Sequence, residues 1–236
     1  MRGIVRRFVL ALCIAILLPA CNGGDQISRL SSPDVSFASG HASCRGDRQS
    51  PINLSDANTH PRQTLLRTSY RTAEAHIVEI DGGAKIEIDG GTLTIEKNTY
   101  PLQRIEVRSP SEHTIEGNRY AAELQLVHQT RSDRRAILSI PIAERTREHD
   151  GLDQWLRQNG SSFNFNVGRV LPTRRSYYAY DGSLTRPPCR ENVRWVVMDT
   201  PVQASPAQVK RLRERYAQPA RPLQARKNRS LVHVAP

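Results

Sequence analysis

From residue 76 onward, hydrophobic and polar residues alternate with the period of two that turns one face of a strand inward and the other outward. His76–Ile80 (HIVEI), Lys85–Ile88 (KIEI) and Thr92–Ile95 (TLTI) carry the pattern, with Gly82-Gly83 and Gly90-Gly91 as turn points between them. Leu102–Arg108 and Tyr120–Gln129 extend this meander, and Ala136–Ile142 and Val193–Met198 are further strand candidates. Helical signals are few. Asp150–Arg157 is one candidate, and Ser205-Pro206-Ala207-Gln208 is a better one. There Ser205 suits an N-cap, Pro206 the first helical position and Gln208 the far side of a capping box. The pattern predicts a mostly β chain with minor α content and no internal repeat beyond the similarity of its strands.

A different pattern opens the chain. Arg2, Arg6 and Arg7 precede the apolar run Phe8–Leu18, the arrangement of an export signal. That run is short of the roughly 20 apolar residues that a membrane-spanning helix needs. It ends in Leu18-Pro19-Ala20-Cys21, which resembles the lipobox of bacterial lipoproteins and so implies a lipidated Cys21. The plainer alternative is cleavage near Ala20 that leaves Cys21 as a free thiol. Asn22 is not the aspartate that marks inner-membrane retention, so the same resemblance implies a periplasmic location with an outer-membrane anchor. The polar stretch that follows, rich in Ser, Gly and Asp, has the composition of a tether. The expected organisation is a signal over 1–20, a tether over 21–40 and one domain over 41–236.

Composition changes this picture only at the edges. A chain of 236 residues, 38% hydrophobic, can build one sizeable domain and is short for two. The formal charge of +11 favours anionic partners in general. Lys210, Arg211, Arg213, Arg215, Arg221, Arg226, Lys227 and Arg229 form a loose basic cluster. No aromatic-interleaved or helix-turn-helix signature accompanies it, so no nucleic-acid partner is expected, and a solvated basic face is the plain reading. Of the four cysteines, Cys13 falls in the signal and Cys21 at its end. Cys44 and Cys189 remain, and in an oxidising compartment a single disulfide between them is expected. No Cys-x-x-Cys spacing suggests a zinc knuckle.

Five ordered blocks then point to one family. They are QSPINL at Gln49–Leu54, PSEH at Pro110–His113, AAELQLVH at Ala121–His128, YYAYDGSLTRPP at Tyr177–Pro188 and ARPLQ at Ala220–Gln224. Together they resemble the α-class carbonic anhydrases. The resemblance implies a single domain built on a twisted, largely antiparallel central sheet with short peripheral helices. It also implies a disulfide of the Cys44–Cys189 kind, because bacterial members carry a similar pair. The aromatic N-terminal segment typical of the family is missing, which implies a more open cavity edge.

The same resemblance locates the chemistry and alters it. Family enzymes read like FHFH ahead of PSEH and ELHLVH afterwards, and their three histidines hold zinc. The corresponding positions here are Glu106, Arg108 and Gln125. Positions 106 and 108 are two apart on a strand and share a face, and position 125 on the neighbouring strand points into the same space. A catalytic zinc needs three lone-pair donors and an open fourth position. Arginine stays protonated and donates no lone pair. No zinc or other cofactor is therefore expected. The Arg108 guanidinium is expected to take the cation's place, held by the Glu106 carboxylate and the Gln125 amide oxygen. The alternative is that both side chains swing out to solvent.

Other positions are carried over one at a time. Glu112 and Thr185 match a pair in which the threonine donates to the glutamate. His113 and Glu123 match groups that orient metal ligands. His76, thirty residues before Glu106, matches the proton-shuttle histidine and would here be a rim histidine. Val127, Ile137, Leu184 and Trp195 match the apolar wall. Arg186 stands where the family has a second threonine, near the cavity mouth, with Arg104 a further cation of the cleft. His128 has the setting of a satisfied core histidine. No nucleophile elbow or glycosidase-like carboxylate pair offers separate catalysis. The chain is thus expected to be a carbonic-anhydrase-like binding module, not an enzyme. Its partners would be an anionic small molecule, peptide or glycan in the cleft, and a membrane through the lipid anchor. The alternative is a carbonate dehydratase that uses a different metal arrangement.

Overall fold

A row of paired residues crosses the molecule from edge to centre and fixes everything that follows. In the computed structural model, which describes residues 42–61, 66–158 and 160–235, His76 pairs with Glu87, Glu87 with Arg104, Arg104 with Val127, Val127 with Ile137, Ile137 with Trp195, and Trp195 with Tyr180. Paired residues share a face, so these side chains form one line across one side of a sheet. The next row holds Glu106, Gln125, Ser139, Val197 and Tyr178. The expected signal over 1–20, the tether over 21–40 and the lipid site Cys21 lie outside the described residues.

The sheet is assembled from β1 (Asn53–Leu54), β2 (Asn58–Pro61), β3 (Leu66–Tyr70), β4 (Thr72–Ile80), β5 (Gly83–Ile88), β6 (Gly91–Ile95) and β7 (Asn98–Arg108). β8 (Thr114–Ile115), β9 (Asn118–Arg119), β10 (Ala122–Gln129), β11 (Arg135–Glu144) and β12 (Ser162–Asn166) follow. β13 (Tyr177–Gly182), β14 (Val193–Met198), β15 (Val202–Ala204), β16 (Ala217–Gln218) and β17 (Val232–Ala235) complete the set. Fourteen of these strands form one sheet, its main path running β12-β4-β5-β7-β10-β11-β14-β13-β17-β2, and β1, β8 and β9 form a small second one. Pairing is largely antiparallel, as expected. The sheet is nevertheless mixed, because β14 and β15 join β11 in parallel, β16 joins β7 and β17 joins β2.

Each expected strand is present. Tyr120 and Ala121 fall just before β10, because the Tyr120 amide donates to Ser111 Oγ and is drawn into the neighbouring loop. β13 escaped the period-two reading for a simple reason: it is buried at five of its six positions and so does not alternate. The capping box at Ser205 and Gln208 is formed as read, opening the helix Pro206–Arg215. The other helix runs Asp150–Leu156, with Arg157 as its C-cap.

Alternation along β10 sorts two hydrophobic clusters onto opposite faces. Leu124 and Leu126 join the larger cluster, where Trp155 of one helix and Tyr216 just after the other approach to 5.0 Å between ring centroids. Val127, with Ile137, Trp195 and Tyr180, joins the smaller cluster, which thus contains the apolar end of the row described above. The disulfide between Cys44 and Cys189 is formed, as expected.

His128 points into the larger core face, fully buried, with Tyr70 Oη 2.9 Å from its Nε2. Burial pushes its pKa down to about 3. A group depressed in the fold stabilises it fully above its unfolded pKa, near 6.5, and loses that contribution as pH falls. Unfolding free energy should therefore drop by about 1.4 kcal/mol per pH unit below roughly pH 6.5. Glu106 and Glu123, both held at about 2, add their own loss only below the carboxylate range near 4.5. Urea unfolding between pH 6.5 and 4.5 measures the histidine effect, with half-buried His149 a smaller contributor of the same sign. Replacing His128 with Gln should remove most of that slope; an unchanged slope would assign it elsewhere.

Candidate functional site

Two strands and a loop bring the charged residues together. β7 supplies Arg104, Glu106 and Arg108 from alternate positions, β10 supplies Glu123, Gln125 and Val127, and the loop after β7 supplies Glu112 and His113. The Arg108 side chain is 1% exposed. Its Nη2 donates to Glu106 Oε2 at 2.5 Å, and its Nε lies 3.2 Å from Glu112 Oε1. On the other side, Arg104 Nε donates to Glu106 Oε1 at 2.6 Å. Glu106 is thus clamped between two guanidiniums, and the expected inward pairing of Arg108 is present.

One expected contact is not formed. The Gln125 amide does not hold Arg108 through its oxygen; its nitrogen donates to Glu112 Oε2 at 2.7 Å and to Glu123 Oε1 at 3.1 Å. The physical reason is supply of donors. Glu112 and Glu123 are both fully buried carboxylates, and a buried carboxylate short of hydrogen bonds is costly. The amide nitrogen serves both at once. A second correction concerns Thr185. It makes no hydrogen bond to Glu112 among the described residues; Glu112 Oε1 instead accepts the backbone N–H of Arg221 at 3.0 Å.

The electrostatics follow from these contacts. Burial alone would raise the Glu106 pKa, but Arg108 and Arg104 outweigh it and hold the carboxyl at about 2. Burial opposes the charge on Arg108, yet Glu112 and Glu106 more than compensate and lift its pKa above the ordinary value. Glu123 is held at about 2 against its burial, chiefly by His113.

His113 and Glu123 meet as expected. The His113 backbone N–H donates to Glu123 Oε2 at 2.9 Å, and Nδ1 lies 3.0 Å from Oε1. A chain of buried groups leads on from the ring: His113 Nε2 is 2.7 Å from Tyr180 Oη, which donates to Ser50 Oγ at 2.9 Å. A side chain at Gly182 would collide with that same Ser50 Oγ, which explains the glycine. Arg221 locks the arrangement from the C-terminal side. Its guanidinium donates to Gln49 Oε1 and to the carbonyls of Ser50 and Cys44. Gln49, Ser50, Tyr180 and Arg221 were legible only as parts of family blocks, not as a network.

Beside Arg108 lies a cleft of about 160 Å³. Arg104, Glu106, Arg108 and Gln125 line it, as do Arg186 and Thr185. Val127, Ile137 and Leu184 form its apolar side, as expected. Trp195 does not reach it. That indole is fully buried behind the wall, its Nε1 donating to Ser183 O at 2.9 Å and its ring 4.7 Å from His113. His76 shares the row with Arg104 but is exposed, 3.8 Å from Glu74, and lies outside the cleft lining. Pro187, from the Tyr177–Pro188 block, also lines the cleft, as does Gln218, which no sequence signal marked. Arg186 donates to Pro219 O at 3.2 Å, and burial together with the like charge of Arg108 lowers its pKa. Among the described residues no cluster of three or more His, Cys, Asp or Glu is arranged to hold a metal.

Comparison with known proteins gives a consistent result. A family model described as eukaryotic-type carbonic anhydrase matches residues 36–233. A carbonic anhydrase from Nostoc sp. is 31% identical over 208 residues, covering 80% of this chain and 76% of the relative. The solved Photobacterium profundum alpha-carbonic anhydrase superposes with a TM-score of 0.76 at 29% identity, over 82% of this chain and 93% of that one. A solved dioscorin complexed with ascorbate superposes with a TM-score of 0.71 at 30% identity, over 80% of this chain and 87% of that one.

Proposed function

The chain belongs to the eukaryotic-type carbonic anhydrase family, and from that premise we propose a carbonic-anhydrase-like protein that does not hydrate CO2 through zinc and instead binds an anionic ligand in its cleft. The proposal includes export and anchoring through a lipidated Cys21. One observation carries the reading. Arg108 sits buried between Glu106 and Glu112, at 2.5 Å and 3.2 Å, in the place that the flanking motifs assign to a zinc ligand. A guanidinium offers no lone pair and repels a dication. The Gln125 amide nitrogen is committed to two carboxylates, and Glu106 to two arginines. These residues do not fit zinc.

Further support comes from the balance of the cleft, where Arg104, Arg108 and Arg186 surround one lining carboxylate, Glu106. The dioscorin relative is recorded in complex with ascorbate, an organic anion.

The deciding experiment is metal analysis and a CO2 hydration assay on the purified mature domain. The expected result is no stoichiometric zinc and no turnover above the uncatalysed rate. Stoichiometric zinc with sulfonamide-sensitive turnover would favour a carbonate dehydratase with another metal arrangement and overturn this reading. The same preparation, expressed full length, should incorporate a labelled fatty acid that Cys21→Ser abolishes; unlabelled wild-type protein would overturn the anchor.

A further inference from the structure

Arg186 and Gln218 line the cleft together with the apolar side chains of Val127, Ile137 and Leu184. Gln218 sits on β16, beside Arg108, and is buried. Its Nε2 has no hydrogen-bond partner among the described residues. A buried amide N–H without an acceptor costs free energy, so its placement against a cleft points to an acceptor that enters from outside.

Charge narrows what that acceptor is. Both oxygens of Glu106 are taken, one by Arg104 and one by Arg108. Arg186 lies close enough to Arg108 for the two like charges to oppose each other. An incoming carboxylate relieves that repulsion, whereas an ammonium adds to it. Size narrows it further. At about 160 Å³ the cleft holds on the order of ten water-sized volumes, well under the roughly 300 Å³ at which sites for drug-sized ligands begin.

We propose that this cleft binds a small organic monocarboxylate, with its carboxylate on Arg186 and the Gln218 amide and its hydrocarbon against Val127, Ile137 and Leu184. The proposal rests on the metal-free reading above. It excludes amines and zwitterionic amino acids, and it requires an apolar part on the ligand as well as the charge.

Calorimetric titration of the metal-analysed mature domain with benzoate, at fixed ionic strength, tests it. Benzoate should bind one to one. Benzamide and benzylamine, the neutral and cationic probes of similar shape, should show no saturable binding. Acetate should bind at least about tenfold more weakly, because it buries almost none of the apolar wall. Arg186→Gln and Gln218→Leu should each weaken benzoate by roughly tenfold, with unchanged melting temperatures. No saturable benzoate binding by a folded, metal-free domain would sink this inference and leave the carbonic-anhydrase-like reading standing. Benzoate affinity unaffected by both variants would overturn the placement. Binding that depends on added zinc would overturn both readings.

Discussion

Replacing Arg108 with alanine is expected to cost about 3–5 kcal/mol of unfolding free energy, the usual penalty for stranding a buried charge. The guanidinium is 1% exposed and reaches both Glu106 and Glu112. Without it, Glu106 keeps Arg104, and Glu112 keeps Gln125 and the Arg221 amide. Neither carboxylate keeps enough compensation for its burial, and a void replaces a long, fully buried side chain. Arg108→Lys should lose less, since it keeps the charge but not the fork that spans two carboxylates. Combining Arg108→Met with Glu106→Gln should recover part of the loss, because it removes charge from both sides. Urea unfolding of the four proteins measures this. A loss below about 1 kcal/mol for Arg108→Ala would mean that the pairing holds nothing together.

Reducing the Cys44–Cys189 disulfide should be of similar size. The bridge joins residues 145 apart, and in the chain-entropy account closing so long a loop is worth about 5 kcal/mol. For a domain of this size that corresponds to a fall in melting temperature of about 10–20 °C. Geometry adds a local effect. Gln49 Nε2 donates to the Cys189 carbonyl and to Glu191, and Arg221 donates to the Cys44 carbonyl. The bridge therefore pins the segment that carries Leu184, Thr185 and Arg186 to the start of the described chain, so the reduced protein should also bind ligand more weakly. Melting curves with and without reductant, alongside a Cys44→Ser/Cys189→Ser variant, test the first effect. A shift under about 4 °C would contradict it.

Much of this was legible in the residues. Alternation from His76 to Ile95 announced β4 to β6, and Ser205 with Gln208 announced the helix that follows them. Spacing of two between Glu106 and Arg108 placed both on one face, as found. What escaped had physical causes. β13 is buried on both faces and carries no period. The partner of Gln125 could not be read, because it depends on how many buried carboxylates compete for one amide nitrogen, and that competition is three-dimensional. Trp195 was assigned to the cavity wall by its position in a motif, yet Ser183 draws its indole behind the wall. Gln218 lies on a two-residue strand with no pattern at all.

The sheet also joins strands from the two ends of the described chain, which constrains how the protein is made. β2, near residue 58, pairs in parallel with β17, near residue 232, and β17 in turn pairs with β13. Arg221 reaches back to Cys44 and Ser50. None of these contacts can form while the C-terminal strand is still inside a ribosome or a translocation channel. A nascent chain of this design has to wait, with its β2 edge open, until Val232–Ala235 have emerged. Such non-local pairing makes for slow folding and a long exposed interval. Under the export proposed above, that delay would leave more time for translocation before the chain folds.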